Sequence, residues 1–501
     1  MSVTLLVCVL GMVAIGALGL LGRRRPAASL EEWSVGGRNF GAFTTWLLQA
    51  GEIYTTFTFL GLAGLACTSG VAVTYALPYL PLAYVGLYAI APVIWRMGRD
   101  RGYLTQGDFF ADRYGSRLFG GLTSVLGVVF LLPYLQLQIT GLGLVIQLAT
   151  GNKDAGTPAM IAASVLVVAF VLWSGIHGVA KAAYLKDALM VVALLAMLVM
   201  VPAHYNGGIG HLGAALREHH SELLSVPAGG PFGQVWFFTA MLTSLFSVLF
   251  LTMPQGWAPV LAAGSEQALR KNSIWIPVYG ATQAIPMIVG FTALTTLGGA
   301  ASANGNGVLL QLASGAMPDW LLGVIAVAAA ATAMVPSAGI VLGMSTLVAR
   351  NVLRPRGARA GLLVNHGTVV IAVTLALVLG ITRPDALANL LLLTYSGLGQ
   401  MAPATAAALT RRPLLRAWSA GAGIVAGEAV LIWLTFGDSY HGAISTGLIA
   451  LAVNVVVAGA VELVLRARGG APVLPDGPSA PSSASAPSSA SAPSSASAPT
   501  V

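Results

Sequence analysis

The chain has 501 residues, of which 56% are hydrophobic and 8% charged, with a mean hydropathy of +0.81. A soluble domain carries about a quarter charged residues, so that class is excluded. Apolar runs of about 20 residues recur along nearly the whole length, the mark of an all-α polytopic membrane protein. The net charge of +8 describes no nucleic-acid partner, because the basic residues lie between apolar runs and form no patch of their own.

In chain order, thirteen apolar spans are predicted, at about 2–21, 42–69, 72–96, 118–148, 158–178, 185–204, 233–262, 273–298, 318–349, 361–382, 387–410, 417–436 and 442–465. The first lacks a basic n-region, and Arg23 to Arg25 follow it instead, which favours a retained span over a cleaved signal peptide. With the N-terminus outside, 22 of the 25 Lys and Arg fall in cytoplasmic segments, leaving only Lys153, Arg217 and Arg383 outside. That asymmetry supports an external N-terminus, a cytoplasmic C-terminus and placement in the plasma membrane, with the lipid bilayer as the basic rim's partner. No basic residue falls in mid-span on this reading. His177, Lys181, Lys186 and Asp187 cluster at a cytoplasmic helix end, where a solvated surface explains them. Cys8 and Cys67 both fall in spans and read as small buried hydrophobes.

Between spans, Thr105–Arg117 (TQGDFFADRYGSR) is expected along the membrane interface, and HLGAALREHHSELLS in 205–232 as a short surface helix. After Arg468 the unit PSSASA begins at Pro481, Pro487 and Pro493; such a segment buries no core, so 469–501 reads as a disordered tail.

Two spans carry interruptions. The second reads QAGEIYTTFTFLGLAGLAC (Gln49–Cys67), with Glu52 directly after Gly51 and the nearest basic residue in sequence at Arg38. The seventh contains TMPQGWAPV, with Pro254, Gly256 and Pro259 near its middle. The two lie five spans apart and start from opposite sides of the membrane. Paired interruptions in two halves point to a transporter's central site, where half-helix ends offer N–H groups to an anion and carbonyls to a cation. An ionised carboxylate at Glu52's depth costs roughly 2.5–3.5 kcal/mol. Low dielectric favours the neutral form, so the residue suits a group that gains and loses a proton.

The residues resemble the sodium:solute symporter family, and within it the bacterial monocarboxylate permease branch. The similarity runs from Trp33 to the eleventh span through WSVGGRNFG, GEIYTTFTFLG, GYLTQGDFFADRYGSR, PYLQLQITG, MPQGWAPVLAAGSEQALRKN and MVPSAGIVLGMSTLVARNVL. It implies a leucine-transporter-type 5+5 inverted repeat: spans 2–6 and 7–11 form the core (33–410), with 1–32 before it and spans 12–13 (411–468) after it. It also implies a coupling ion held by the carbonyls of Ala50 and Ile53 and by two hydroxyls of the ninth span. The aligned pair is Val335 and Pro336, which carry no side-chain oxygen, with Thr332 and Ser337 nearby. With Glu52 present and that pair missing, a proton is favoured over sodium. Gln255 stands where the branch has a histidine.

The expected substrate is a small organic anion of the acetate, pyruvate or lactate type, imported by symport. Its candidate donors are Tyr54, Thr55, Gln138, Gln255, Trp257 and Gln400; Gln138 is preferred to Gln136 because the family pattern places a glutamine there. Glu428, in span 12, is expected to pack with a neighbour. No metal ligands at metal spacing, no cofactor motif and no nucleophile with its base are present, so an enzyme is not expected. The alternatives are a sodium-coupled symporter for an amino acid or vitamin, and a solute-binding membrane sensor. No protein partner is indicated.

Overall fold

The computed structural model describes residues 3–23, 25, 27–298, 305–383, 387–410, 414–437, 440 and 442–469. The predicted tail therefore lies, from 470 onward, outside the described residues. In chain order the helices are α1 (Val3–Leu20), α2 (Leu30–Val35), α3 (Ala42–Gly51), α4 (Leu62–Ser69), α5 (Ala76–Arg101), α6 (Gln106–Arg113), α7 (Arg117–Thr150), α8 (Gly156–Ser174), α9 (Ile176–Asn206) and α10 (Ile209–His219). They continue as α11 (Gln234–Leu249), α12 (Trp257–Ala262), α13 (Glu266–Ala281), α14 (Ala284–Leu297), α15 (Val308–Ala316), α16 (Asp319–Leu347), α17 (Ala358–Thr382), α18 (Leu387–Leu398), α19 (Ala402–Leu409), α20 (Ala417–Phe436) and α21 (Thr446–Ala467). Among the described residues no strand forms; Phe40 and Ala263 share an isolated parallel bridge.

Eleven helical stretches among the described residues are long and apolar enough to cross a membrane. Every predicted span has helix in it, but several are not single helices: 233–262 divides into α11 and α12, and 273–298 falls across α13 and α14. Span 42–69 is α3, a gap, a π-helical turn at Phe57–Gly61, and α4. Span 387–410 is α18 and α19 joined by a 3-10 turn at Gly399–Met401. The sixth span also begins earlier than expected. The chain turns at Gly175, with φ 53°, so α9 starts at Ile176. A Cβ on Gly175 would fall 2.4 Å from the Trp33 carbonyl oxygen, so only glycine fits this turn.

The centre of the molecule is α16, whose residues from Ile325 to Ala338 are all buried. Its run AVAAAATAM holds small side chains that let neighbouring helices approach closely, as membrane packing favours. α1, α7 and α9 pack around it. The interfacial segment forms α6, N-capped by Thr105, whose Oγ1 accepts from Asp108 N–H at 3.1 Å. Cys8 and Cys67 are buried and unbridged.

Candidate functional site: two helix breaks around one cavity

The first break begins where α3 ends. Its last carbonyls find partners inside the protein, as backbone freed in an apolar setting must. Ala50 O accepts from the N–H groups of Ile53 (3.0 Å) and Tyr54 (3.3 Å). Thr58 Oγ1 donates to Ile53 O at 2.5 Å, and Thr56 N–H donates to Gln138 Oε1 on α7 at 3.1 Å. Gly51 O accepts from Lys186 Nζ on α9 at 3.3 Å.

The second break lies just before Pro254. Proline disfavours helical geometry in the residue preceding it, and Met253 is extended, at φ −81° and ψ 114°. Leu251 takes φ 47°, a region that strains a side chain with a Cβ. The exposed carbonyls are capped by side chains. Trp257 Nε1 donates to Leu251 O at 2.6 Å. Gln106 Nε2, from α6, reaches Leu251 O at 3.1 Å and Thr252 O at 3.2 Å. The interfacial helix is thus a brace for the break. Gln106→Leu is expected to lower unfolding stability in detergent by about 1–3 kcal/mol, the cost of stranding a buried acceptor. An unchanged unfolding midpoint would remove α6 from this role.

A cavity of about 90 Å³ lies between the breaks. One water needs about 10–15 Å³ on this scale, so there is room for a handful of non-hydrogen atoms. The first break contributes Glu52, Ile53, Thr55 and Thr58, and the second Leu251, Met253, Gln255 and Gly256. Polar groups beyond the breaks are Tyr79, Tyr84, Tyr134, Tyr395, Ser247 and Gln283. None of the described residues lining the cavity is basic. Glu52 lies beside the Gln255 side chain. Among the described residues, Glu52 Oε2 and Gln255 Oε1 are buried without a hydrogen-bond partner. α16 makes room for this carboxyl with Gly339, where a Cβ would fall 2.7 Å from Glu52 Oε1.

The predicted site residues are distributed unevenly around this cavity. Glu52, Ile53, Thr55 and Gln255 line it. Ala50 sits behind the first break with its carbonyl bonded. Tyr54 points elsewhere: its hydroxyl pairs with Thr282 Oγ1 at 2.5 Å and its ring lies against Tyr279. Gln138 pins Thr56 and lines a separate small pocket with Ser337. Gln136 faces another way and donates to Arg383 O at 2.8 Å. Trp257 caps its own break and packs on Phe109. Gln400 ties α18 to α21 through Gly447 O (3.2 Å) and receives Asn454 Nδ2 on its carbonyl at 2.7 Å. Thr332 and Ser337 donate to carbonyls of their own helix, both at 2.7 Å. Glu428 is buried, and among the described residues neither of its oxygens has a hydrogen-bond partner.

Two sequence expectations are corrected at α9. Lys186 is not on a solvated surface and is a basic residue in mid-helix: its side chain is 0% exposed. Its ammonium lies 3.0 Å from Asp187 Oδ1, which also accepts from Tyr279 OH at 3.1 Å. Asp187 is likewise buried, at 5% exposure. Lys181 alone of the three is exposed, as expected. Losing one partner of such a buried pair costs about 3–5 kcal/mol. The cavity tyrosines were also missed. Tyr134 and Tyr395 lie well inside helical spans, whereas membrane tyrosines favour the interface, and that displacement was the available signal.

Two interrupted helices meeting at a buried polar cavity in an all-helical membrane fold define a secondary transporter. The model of the sodium:solute symporter family matches residues 33–410, and the chain belongs to that family. It is therefore a multi-pass membrane solute symporter. The uncharacterized symporters YhjB and YodF of Bacillus subtilis are 32% and 33% identical to it. Those alignments cover 92% and 90% of this chain and 97% and 90% of theirs. A monocarboxylate transport permease protein of Rhizobium johnstonii is 28% identical, over 90% of this chain and 94% of its own. Among solved structures, the outward-open Na+-coupled sialic acid symporter superposes with a TM-score of 0.74 at 14% identity, covering 92% of this chain and 98% of that one. The nucleobase-cation-symport-1 family transporter MHP1, in a closed conformation, gives 0.57 at 14% identity, covering 87% and 95%. The shared fold is of the leucine-transporter type.

Proposed function

We propose that this symporter imports a short monocarboxylate of the acetate, pyruvate or lactate type across the plasma membrane, in symport with a proton and by alternating access. The observation that carries the reading is the small cavity between the breaks, where the lone acidic group has an unpartnered oxygen and the remaining polar groups are neutral. Tyrosine hydroxyls, Thr55 and Gln255 can donate to a carboxylate without the cost of a buried arginine, and about 90 Å³ suits a short one. The Rhizobium relative carries the same substrate class in its name. Glu52 is the coupling residue: protonated, it admits the anion beside it without like-charge repulsion, and ionised, it repels it. Thirteen crossings, an external N-terminus, a cytoplasmic C-terminus and two inverted repeats of five spans complete the reading, supported by the placement of Lys and Arg.

The test is uptake of labelled acetate, pyruvate and proline into proteoliposomes under an inward proton gradient or an inward sodium gradient. Pyruvate or acetate uptake driven by protons without sodium is expected. Uptake that requires sodium, or that selects proline, would replace this reading by the sodium-coupled one.

A further inference from the structure

We propose that the Lys186 ammonium is a tethered cation filling the carbonyl end of the first helix break, so that the resting protein binds no sodium there. The C-terminal end of a half-helix carries partial negative charge, and in broken-helix transporters it is where a cation is held. Here that end is occupied from within. Lys186 Nζ contacts Gly51 O at 3.3 Å and Asp187 Oδ1 at 3.0 Å, with no solvent exposure. The neighbouring carbonyls, Ala50 O and Ile53 O, already accept hydrogen bonds from Ile53, Tyr54 and Thr58. α16 places little oxygen opposite: Val335 and Pro336 carry no side-chain oxygen, and Ser337 lines a separate pocket from the one that holds Glu52. A hard cation needs several oxygens at once, and the ammonium holds two of those within reach. Asp187 balances the lysine charge, and Tyr279 OH fixes the carboxylate from α13. The pair is thus a built structure of three helices, α3, α9 and α13, with the Glu52 carboxyl beside it.

The inference rests on the break being the transport site, but its test needs no substrate. Purified full-length wild type and Lys186→Ala are unfolded thermally in choline chloride, sodium chloride or ethylammonium chloride at equal ionic strength. Wild type is expected to show the same midpoint in all three salts. Lys186→Ala is expected to unfold earlier in choline and to regain at least half of the lost midpoint in sodium or ethylammonium, because Gly51 O and Asp187 are left as an open oxygen site. A saturable, sodium-specific rise in the wild-type midpoint overturns the proposal and needs no variant to be made. A Lys186→Ala protein whose lower midpoint responds to neither cation also overturns it, since the pair would then be only a structural salt bridge.

Discussion

Replacing Glu52 by glutamine is expected to abolish proton-driven accumulation of substrate, by about two orders of magnitude, the scale on which losing a positioned proton-transfer group acts. The substitution is nearly isosteric and keeps a polar group beside Gln255 and under Gly339, so the fold has little reason to change. What it removes is the ability to release a proton. The distinctive outcome is a split between two assays. Net uptake against a gradient should fail, whereas exchange of labelled for unlabelled substrate, which moves no net proton, should persist. Equal accumulation by Glu52→Gln and wild type would remove Glu52 from the coupling step. Loss of both activities would place it in substrate binding instead.

The second large effect is expected at Gly141. A Cβ there would fall 1.8 Å from Thr56 Cγ2, and Thr56 is part of the first break. One turn earlier on α7, Gln138 holds the Thr56 N–H. α7 therefore both pins the break and leaves space for it. Gly141→Ala is expected to cost about 1–3 kcal/mol by overpacking and to lower uptake by displacing Thr55 and Thr56 together. Gly143→Ala is the control, because its Cβ would meet the flexible Met160 side chain at 2.9 Å. Gly141→Ala combined with Thr56→Ser removes the clashing methyl and should recover most of the lost stability, a coupling measurable as a double-mutant cycle. Equal losses for Gly141→Ala and Gly143→Ala would show that the break tolerates displacement.

Much of this architecture is legible in the amino-acid sequence. The two interruptions carried their own chemical signs, a polar run with Glu52 after a glycine in one and closely spaced prolines in the other. Both became breaks that line the cavity. The second opens just before Pro254 rather than around it, because the restriction falls on the preceding residue. Residue-level roles were harder, since a polar side chain near a break can serve the backbone instead of a ligand. Trp257 and Gln400 look like donors in the sequence, yet each gives its N–H to main-chain carbonyls, whereas Gln138 spends its Oε1 on Thr56 N–H and, among the described residues, its Nε2 has no hydrogen-bond partner.

Lys186 was obscured by the placement of a helix start. With the sixth span begun at 185, Lys181, Lys186 and Asp187 fall on a rim. The turn at Gly175 puts Lys186 ten residues into α9, about 15 Å along its axis. Adjacent Lys and Asp also look alike whether solvated or paired in the interior. The tertiary partners that distinguish the two cases, Gly51 O and Tyr279 OH, lie far away in sequence.

The most direct test is proton movement itself. Proteoliposomes holding a pH-sensitive dye are suspended in sodium-free buffer at equal internal and external pH, and pyruvate is added outside, since it crosses lipid unaided far less readily than acetate. Substrate-dependent acidification of the interior in wild type, absent in Glu52→Gln, is the predicted result. Pyruvate uptake with no acidification, or acidification that persists unchanged in Glu52→Gln, would contradict proton coupling through this carboxyl.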